Sequence, residues 1–179
     1  MSMFPQGSRD MKPRLVSLIL AAGVILVDQA TKLIVMLSIP RGRVVSVIDD
    51  FFRIIHVQNP AIAFSIGRNL AAGTQRTLFG LLPLAVIALL FLYYLFTREK
   101  LTGFQRWTFA ALLGGGLGNY VDRIFRPAGV VDFLDFRFYG LLGMQRWPTF
   151  NLADATVVVS GILLFVSFFF PSRPKRETT

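Results

Sequence analysis

Four long apolar runs, separated by polar connections, set the pattern of this chain. They lie at about 15–39, 77–96, 107–124 and 149–170. Each is close to the roughly 20 apolar residues that cross a bilayer as a helix. The connection at 40–76 mixes polar and apolar positions and carries Pro40, Gly42, Pro60, Gly67 and Gly73. Within it, Phe52 to Gln58 shows partial alternation and β-branched residues, which predicts a short strand. Val44 to Ile48 is a second strand able to pair with it across an Asp49-Asp50 turn. The connection at 125–148 is strongly apolar, with Phe133, Leu134, Phe136, Phe138, Tyr139, Leu141 and Leu142. It is expected to lie in the membrane interface as an amphipathic or irregular piece. The fold class expected is therefore an all-α membrane protein with a small β platform. Four transmembrane helices, a short sheet at about 40–70 and the interfacial segment form a single domain over 1–179.

Composition strengthens the membrane reading. The chain is 54% hydrophobic and 16% charged, with a mean hydropathy of +0.58. A soluble domain has about 25% charged residues. There is no cysteine, which excludes disulfides, thiolate metal sites and a cysteine nucleophile. The lone histidine, His56, argues against a Ser-His triad or a histidine-rich metal site. The net charge of +9 is spread over the connections without an aromatic-interleaved basic stripe, so contact with anionic lipid is expected and nucleic acid is not. Segments 1–14, 97–106 and 171–179 hold 9 Lys/Arg in 33 residues, against 8 in 61 for 40–76 and 125–148. By the positive-inside rule both termini are cytoplasmic. Tyr93 and Tyr94, near the end of the second run, fit an interfacial aromatic belt.

Polar residues inside the runs carry the candidate chemistry. Asp28 and Lys32 stand four apart on one face, the favoured order for an intrahelical pair. Lys32 either neutralises Asp28 and snorkels outward or braces a site. The third run contains Gly114-Gly-Gly-Leu-Gly118, where another backbone can approach closely. One phrase then occurs twice, as Asn119-Tyr-Val-Asp122 and Asn151-Leu-Ala-Asp154. Residues three apart share a helix face, so each phrase projects an amide and a carboxyl together. A carboxylate at the centre of a span costs about 2.5–3.5 kcal/mol by insertion scales.

Antiparallel spans place Asp122 and Asp154 at similar depth near the outer surface. Two facing carboxyls titrate as a unit and keep one proton between them. One can then take a proton from water while the other polarises a peptide carbonyl. Asn119 and Asn151 orient the carboxyls or the peptide. Arg123 either stabilises developing charge or binds lipid phosphate. The competing structural account pairs Asp122 and Asp154 with Arg123, Lys32 or helix ends, and Asp154 has an ordinary capping explanation. Asp132 and Asp135 read as shaping the outer segment. The rival functional class is a proton- or ion-coupled carrier, which also uses intramembrane Asp and Lys. Four short spans without repeats or paired broken helices argue against it.

The chain resembles the lipoprotein signal peptidases, the type II signal peptidases of bacteria. The resemblance rests on five blocks in order: Asp28-Gln-Ala-Thr-Lys32, Asn59-Pro-Ala-Ile-Ala-Phe64, Gly115-Gly-Leu-Gly-Asn119-Tyr-Val-Asp122-Arg123, Val130-Val-Asp132-Phe133 and Phe150-Asn151-Leu-Ala-Asp154. It implies an aspartic endopeptidase that removes the signal peptide from diacylglyceryl-modified prolipoproteins, just before the lipidated cysteine. It further implies no metal or other cofactor, a monomer in the bacterial inner membrane, and a site near the outer leaflet. By the resemblance Asp122 and Asp154 are matched to the catalytic aspartates. Asp28, Lys32, Asn59, Asn119, Arg123 and Asn151 are matched to substrate-binding or supporting polar residues. Two departures stand out: Ala61 replaces the usual glycine, and the segment from Val130 to Asn151 is long and aromatic.

Overall fold

A computed structural model describes residues 7–60, 72–97 and 100–169, with side chains for 11–60, 80–97 and 100–169. Ala61 to Phe64 of the second block, the rest of the 40–76 platform through residue 71, and the basic C-terminal residues lie outside these ranges. The four apolar runs are helices: α1 (Gly7–Ser38), α2 (Ala72–Phe96), α3 (Gly103–Phe125) and α4 (Leu152–Phe169). Among the described residues, two segments are long and apolar enough to cross a membrane by length and composition, Met11–Ser38 and Leu152–Phe169. The apolar part of α2, Gly80–Phe96, is shorter. Polar and glycine positions dilute α3.

That dilution follows from the position of α3, which packs against α1, α2 and α4. Its start is fixed by a capping box in which the Thr102 hydroxyl accepts from the Gln105 amide at 3.1 Å and the Gln105 side chain accepts from the Thr102 amide at 2.9 Å. Its glycines then let neighbouring backbones in. A methyl group at Gly114 would lie 2.8 Å from the Ala21 carbonyl of α1, and one at Gly115 would lie 2.8 Å from the Ala153 carbonyl of α4. At Gly118 it would strike the Asp28 carboxylate at 2.8 Å. The stripe thus clamps three helices and leaves room for a buried carboxylate where they meet.

The far end of the bundle is closed by polar contacts of another kind. The Arg14 guanidinium donates to the carbonyls of Tyr94, Leu95 and Thr97 at 2.7–3.0 Å, capping the C-terminus of α2. Tyr94 is fully buried, and its hydroxyl meets Ser17 and the Arg14 carbonyl. It also packs in the apolar core with Leu101, Phe109, Leu113 and Leu164. Tyr94 is therefore a core residue and not part of an aromatic belt, because its hydroxyl finds partners on α1. Tyr93, on the adjacent face, is exposed.

Strands β1 (Val44–Ile48) and β2 (Phe52–Asn59) form the expected hairpin, with Asp49 in the turn at φ 39°. A third strand, β3 (Val130–Phe136), completes an antiparallel sheet in the order β1-β2-β3, pairing Phe52 with Phe136 and Asn59 with Val130. The first half of the predicted interfacial segment is thus sheet. Val130, Val131, Asp132, Phe133 and Asp135 are all buried, so the strand has little of the alternation that marks a half-exposed one. Gly129 (φ +95°) makes the β2–β3 pairing possible, since a Cβ there would lie 2.2 Å from the Asn59 carbonyl. Beyond β3, the Phe133 and Leu134 amides donate to the Phe150 carbonyl at 3.0 and 2.8 Å, and the Phe150 amide returns to Leu134 at 3.1 Å. The sheet is thereby stitched to the entry of α4.

Candidate active site

The site forms where the C-terminal half of α1, the end of α3, the start of α4 and strands β2 and β3 converge. The glycine stripe seats Asp28 and Lys32, the capping geometry of α4 seats Asn151 and Asp154, and the strand pairing seats Asn59 and Asp132. Its buried polar groups fall into two linked halves.

The first half is ionic. Asp28, Lys32 and Asp122 are each fully buried. The Lys32 ammonium contacts Asp28 Oδ2 at 2.8 Å, Asp122 Oδ2 at 3.0 Å and Asn119 Oδ1 at 2.9 Å. All three of its N–H bonds are used, so Lys32 does not snorkel outward. Asp122 also accepts from Gln29 Nε2 at 2.9 Å, from the Val131 amide at 3.1 Å and from the Arg126 guanidinium. Asp28 Oδ1 accepts from the Ala153 amide at 3.1 Å and so helps cap α4. Two cations against two carboxylates make this half neutral.

The second half is held by amides. Asn151 and Asp154 form a reciprocal cap: the Asp154 amide donates to Asn151 Oδ1 at 2.9 Å and the Asn151 amide to Asp154 Oδ2 at 3.1 Å. The capping account of Asp154 is therefore correct locally. Its other oxygen accepts from Asn119 Nδ2 at 2.7 Å. Asn151 Nδ2 donates to Asn119 Oδ1 at 3.0 Å and to Asp132 Oδ1 at 2.8 Å. Asn59 Nδ2 donates to Asp132 Oδ2 at 3.2 Å. The two Asn-x-x-Asp phrases thus interlock through their amides, and Asp132 is drawn in as a third carboxyl. Burial and the neighbouring Asp154 carboxylate push Asp132 up to about 7, against the opposing effect of its amide partners and Lys32. Arg123 donates to the Asn119 carbonyl at 3.2 Å and lies close enough to feel the charges of Asp154 and Asp132.

All eight residues singled out in the sequence are brought to this region. Asp122, however, turns toward Lys32, Arg126 and Gln29, and the carboxyl electrostatically coupled to Asp154 is Asp132. The sequence reading also passed over Gln29 and Arg126. Gln29 sits beside Asp28 within the first block, and it links Asp28, the Gly118 carbonyl, Asp122 and Arg126. Arg126 lies four residues after Asp122, the spacing of an intrahelical ion pair. Asp132 was visible in the fourth block, and its place on an unrecognised strand hid its neighbours.

A small membrane enzyme with a buried carboxyl–amide site is the class that this fold and geometry fit. The chain belongs to the signal peptidase II family: the family model described as signal peptidase (SPase) II matches residues 20–170. It is 40% identical over 162 residues to the lipoprotein signal peptidase of Treponema pallidum (strain Nichols), covering 90% of this chain and 87% of that one. It is 44% identical over 151 residues to the lipoprotein signal peptidase of Borreliella burgdorferi (strain ZS7), covering 84% and 87%. The fold is similar to that of a bacterial membrane enzyme solved in meso at 2.3 Å, with a TM-score of 0.72 and 27% identity over 92% of this chain and 93% of that one.

Proposed function

We infer that this chain removes the signal peptide from prolipoproteins, with Asp132 and Asp154 as its acid–base pair. Family membership over nearly the whole chain supports the activity, and a carrier is not favoured. One observation carries the assignment of the pair. Asp132, buried, and Asp154, half-buried, are both held by neutral donors, whereas Asp122 is tied to two cations and two neutral donors. Direct contact with two cations favours the charged form of a carboxyl, which is not the form that donates a proton. A carboxyl raised to about 7 is about half protonated at neutral pH and so has a proton to give. Asp132 is then the acid and Asp154 the base.

A water between them attacks the scissile carbonyl carbon. Asp154 takes the water proton as the C–O bond forms, and Asp132 gives its proton to the carbonyl oxygen. Collapse of the gem-diol intermediate breaks the C–N bond: the proton held on Asp154 passes to the leaving amine, one gem-diol hydroxyl returns its proton to Asp132, and both carboxyls regain their starting states. Asn119 and Asn151 hold the two carboxyls at fixed angles, Asn59 orients Asp132, and Arg123 stabilises negative charge on this half. Asp122, Asp28 and Lys32 are positioning residues: they anchor β3 and α4 against α1. No metal or other cofactor takes part in this mechanism.

The same reading extends to placement. All four helices cross the membrane as one domain, with both termini cytoplasmic and the acid–base pair near the outer leaflet. The uneven density of basic residues supports this orientation. The working form is a monomer in contact with phospholipid, without nucleic acid. The substrate carries a diacylglyceryl group on the cysteine after the scissile bond. Burial of its chains contributes about 0.8 kcal/mol per CH₂. Purified protein should therefore cleave a diacylglyceryl peptide and leave the unlipidated twin nearly untouched, with EDTA having no effect. Equal rates on the two peptides, or EDTA inhibition reversed by zinc, would refute the proposal.

A further inference from the structure

Beyond β3 the chain continues as a stiff hairpin that the proposed chemistry does not use. Arg137 pairs with Arg146, the Phe138 amide donates to Gln145 at 2.9 Å, and the Gly140 amide donates to Met144 at 3.0 Å. Phe138 and Trp147 pack with tilted rings at 5.0 Å across the stem, and Phe136 stacks on Phe52 at 4.7 Å. The tip is tightly wound: Tyr139 (φ 52°), Gly140 (φ 86°), Leu142 (φ 55°) and Gly143 (φ 75°) are all left-handed. Tyrosine and leucine rarely take this conformation. Here it turns their side chains outward, with Tyr139, Leu141 and Leu142 exposed by 66%, 62% and 76%.

Basic residues ring the base of this tip. Arg137 and Arg146 both reach Asp50, Arg53 and Arg146 share Asp135, and Arg137 lies 5.0 Å above the Tyr139 ring. Three arginines against two carboxylates leave one net positive charge beside the apolar tip. Leucine and tyrosine ahead of an arginine collar is the composition of a segment that dips its apolar end below the phosphates of a lipid surface. The hairpin base is also joined to the entry of α4, an apolar helix long enough to span a bilayer. The hairpin that carries the exposed residues is thus tied at its base to the start of that helix.

We propose that residues 139–142 are a lipid-interface anchor. The tip inserts among the headgroups of the leaflet on the side of the site, and Arg137 and Arg146 meet the phosphates. The sheet, and with it Asp132, is then held at a fixed height above the acyl chains. This rests on the membrane placement of the site proposed above, but the test reads depth and not cleavage.

The chain has no cysteine, so Leu142→Cys carries a single environment-sensitive fluorophore. The labelled protein, reconstituted in phosphatidylethanolamine–phosphatidylglycerol vesicles, should emit toward the blue. A headgroup nitroxide lipid should quench it several-fold more strongly than aqueous iodide does. Leu142→Asp with the label at Leu141→Cys should reverse that ratio, and the Leu141→Cys label alone repeats the measurement if position 142 tolerates no dye. Iodide-dominated quenching in both labelled proteins would overturn the proposal. So would shielding that appears only when a diacylglyceryl peptide is added, which would assign the tip to substrate. Cleavage by the same vesicles, measured in parallel, separates failure of the anchor from failure of the peptidase reading.

Discussion

Asp122 and Asp132 lie in the same buried site, yet their surroundings give them opposite properties. Asp122, at the end of α3, meets a lysine, an arginine, a glutamine amide and a backbone amide. Asp132, on β3, meets two asparagine amides and the field of a second carboxylate. Both are buried, but only Asp122 touches counter-ions directly, while Asp132 feels Lys32 from a distance. The comparison teaches that the number of polar contacts does not mark a reactive carboxyl. On the proposed assignment the charge of the partners does, since a neutral donor orients a carboxyl without fixing its protonation.

The largest expected effect breaks the amide-held half. Asp132→Asn and Asp154→Asn each remove an ionisable group while keeping shape, and each should lower kcat by a factor on the order of 10⁴ with little loss of folding. The double variant should be scarcely slower than either single one, because the pair acts as a unit. Substantial turnover by either pure variant would end the assignment. Asp122→Asn should instead lose stability, and the fraction that folds should retain cleavage well above the Asp132→Asn level. If Asp122→Asn is as inactive as Asp132→Asn while melting at the wild-type temperature, the two carboxyls have been given each other's roles.

The ionic half is tested by Lys32→Met. Removing the ammonium leaves Asp28 and Asp122 facing each other in a dry site with only Arg126 as counter-ion. Breaking a buried pair in this way costs about 3–5 kcal/mol. The melting temperature in detergent should fall markedly, and Asp28→Asn added to Lys32→Met should recover part of it. A Lys32→Met protein that melts like the wild type would show that the triad contributes no net stability.

The pH dependence separates the halves with a smaller effect. The folded-state value of Asp132, about 7, lies above its ordinary 3.8. Its contribution to stability is therefore fully present below the ordinary value and is lost as pH rises through about 7. The slope is at most about 1.4 kcal/mol per pH unit for one proton. Cleavage should fall as pH rises through about 7 and the acid loses its proton. Asp132→Asn should flatten the stability curve between about pH 4 and 7 and leave the protein relatively more stable at pH 8. An unchanged slope in Asp132→Asn would mean that another group carries it.

Much of this was legible along the chain, for physical reasons that differ by element. The helices were visible because apolar runs of membrane length have few alternatives, and the β1–β2 hairpin because its turn residues and alternation agree. The eight polar residues stood out because charge inside an apolar run is costly and calls for a partner. The strand β3 was hidden because it is buried on both faces, and a continuous apolar stretch reads equally as an interfacial piece. With β3 went the link between Asp132 and Asp154, since the strand pairing is what brings Asp132 to Asn59 and Asn151. Tyr94 was misplaced for a related reason: a tyrosine near a helix end fits the lipid interface unless a buried hydroxyl partner, here Ser17, is known.

A third carboxyl on the same strand gives the smallest and sharpest test. Asp135 is buried like Asp132, but it is bound to Arg53 at 2.6 Å and Arg146 at 3.0 Å, and both arginines reach solvent. It resembles Asp122 in having cationic partners and differs in that water screens them. Asp135→Asn should therefore cost only about 1 kcal/mol, the scale of a partly exposed ion pair. The loss should shrink further in high salt, where the Debye length falls to about 3 Å at 1 M. Cleavage should stay within a few-fold of wild type, because Arg53 and Arg146 retain Asp50 as a partner and the register of β3 is set by its backbone. Two aspartates on one strand would then differ by orders of magnitude in kcat, which burial alone does not account for. Loss of cleavage in Asp135→Asn at unchanged stability would place that carboxyl in the chemistry and undo the distinction between amide-held and arginine-held groups.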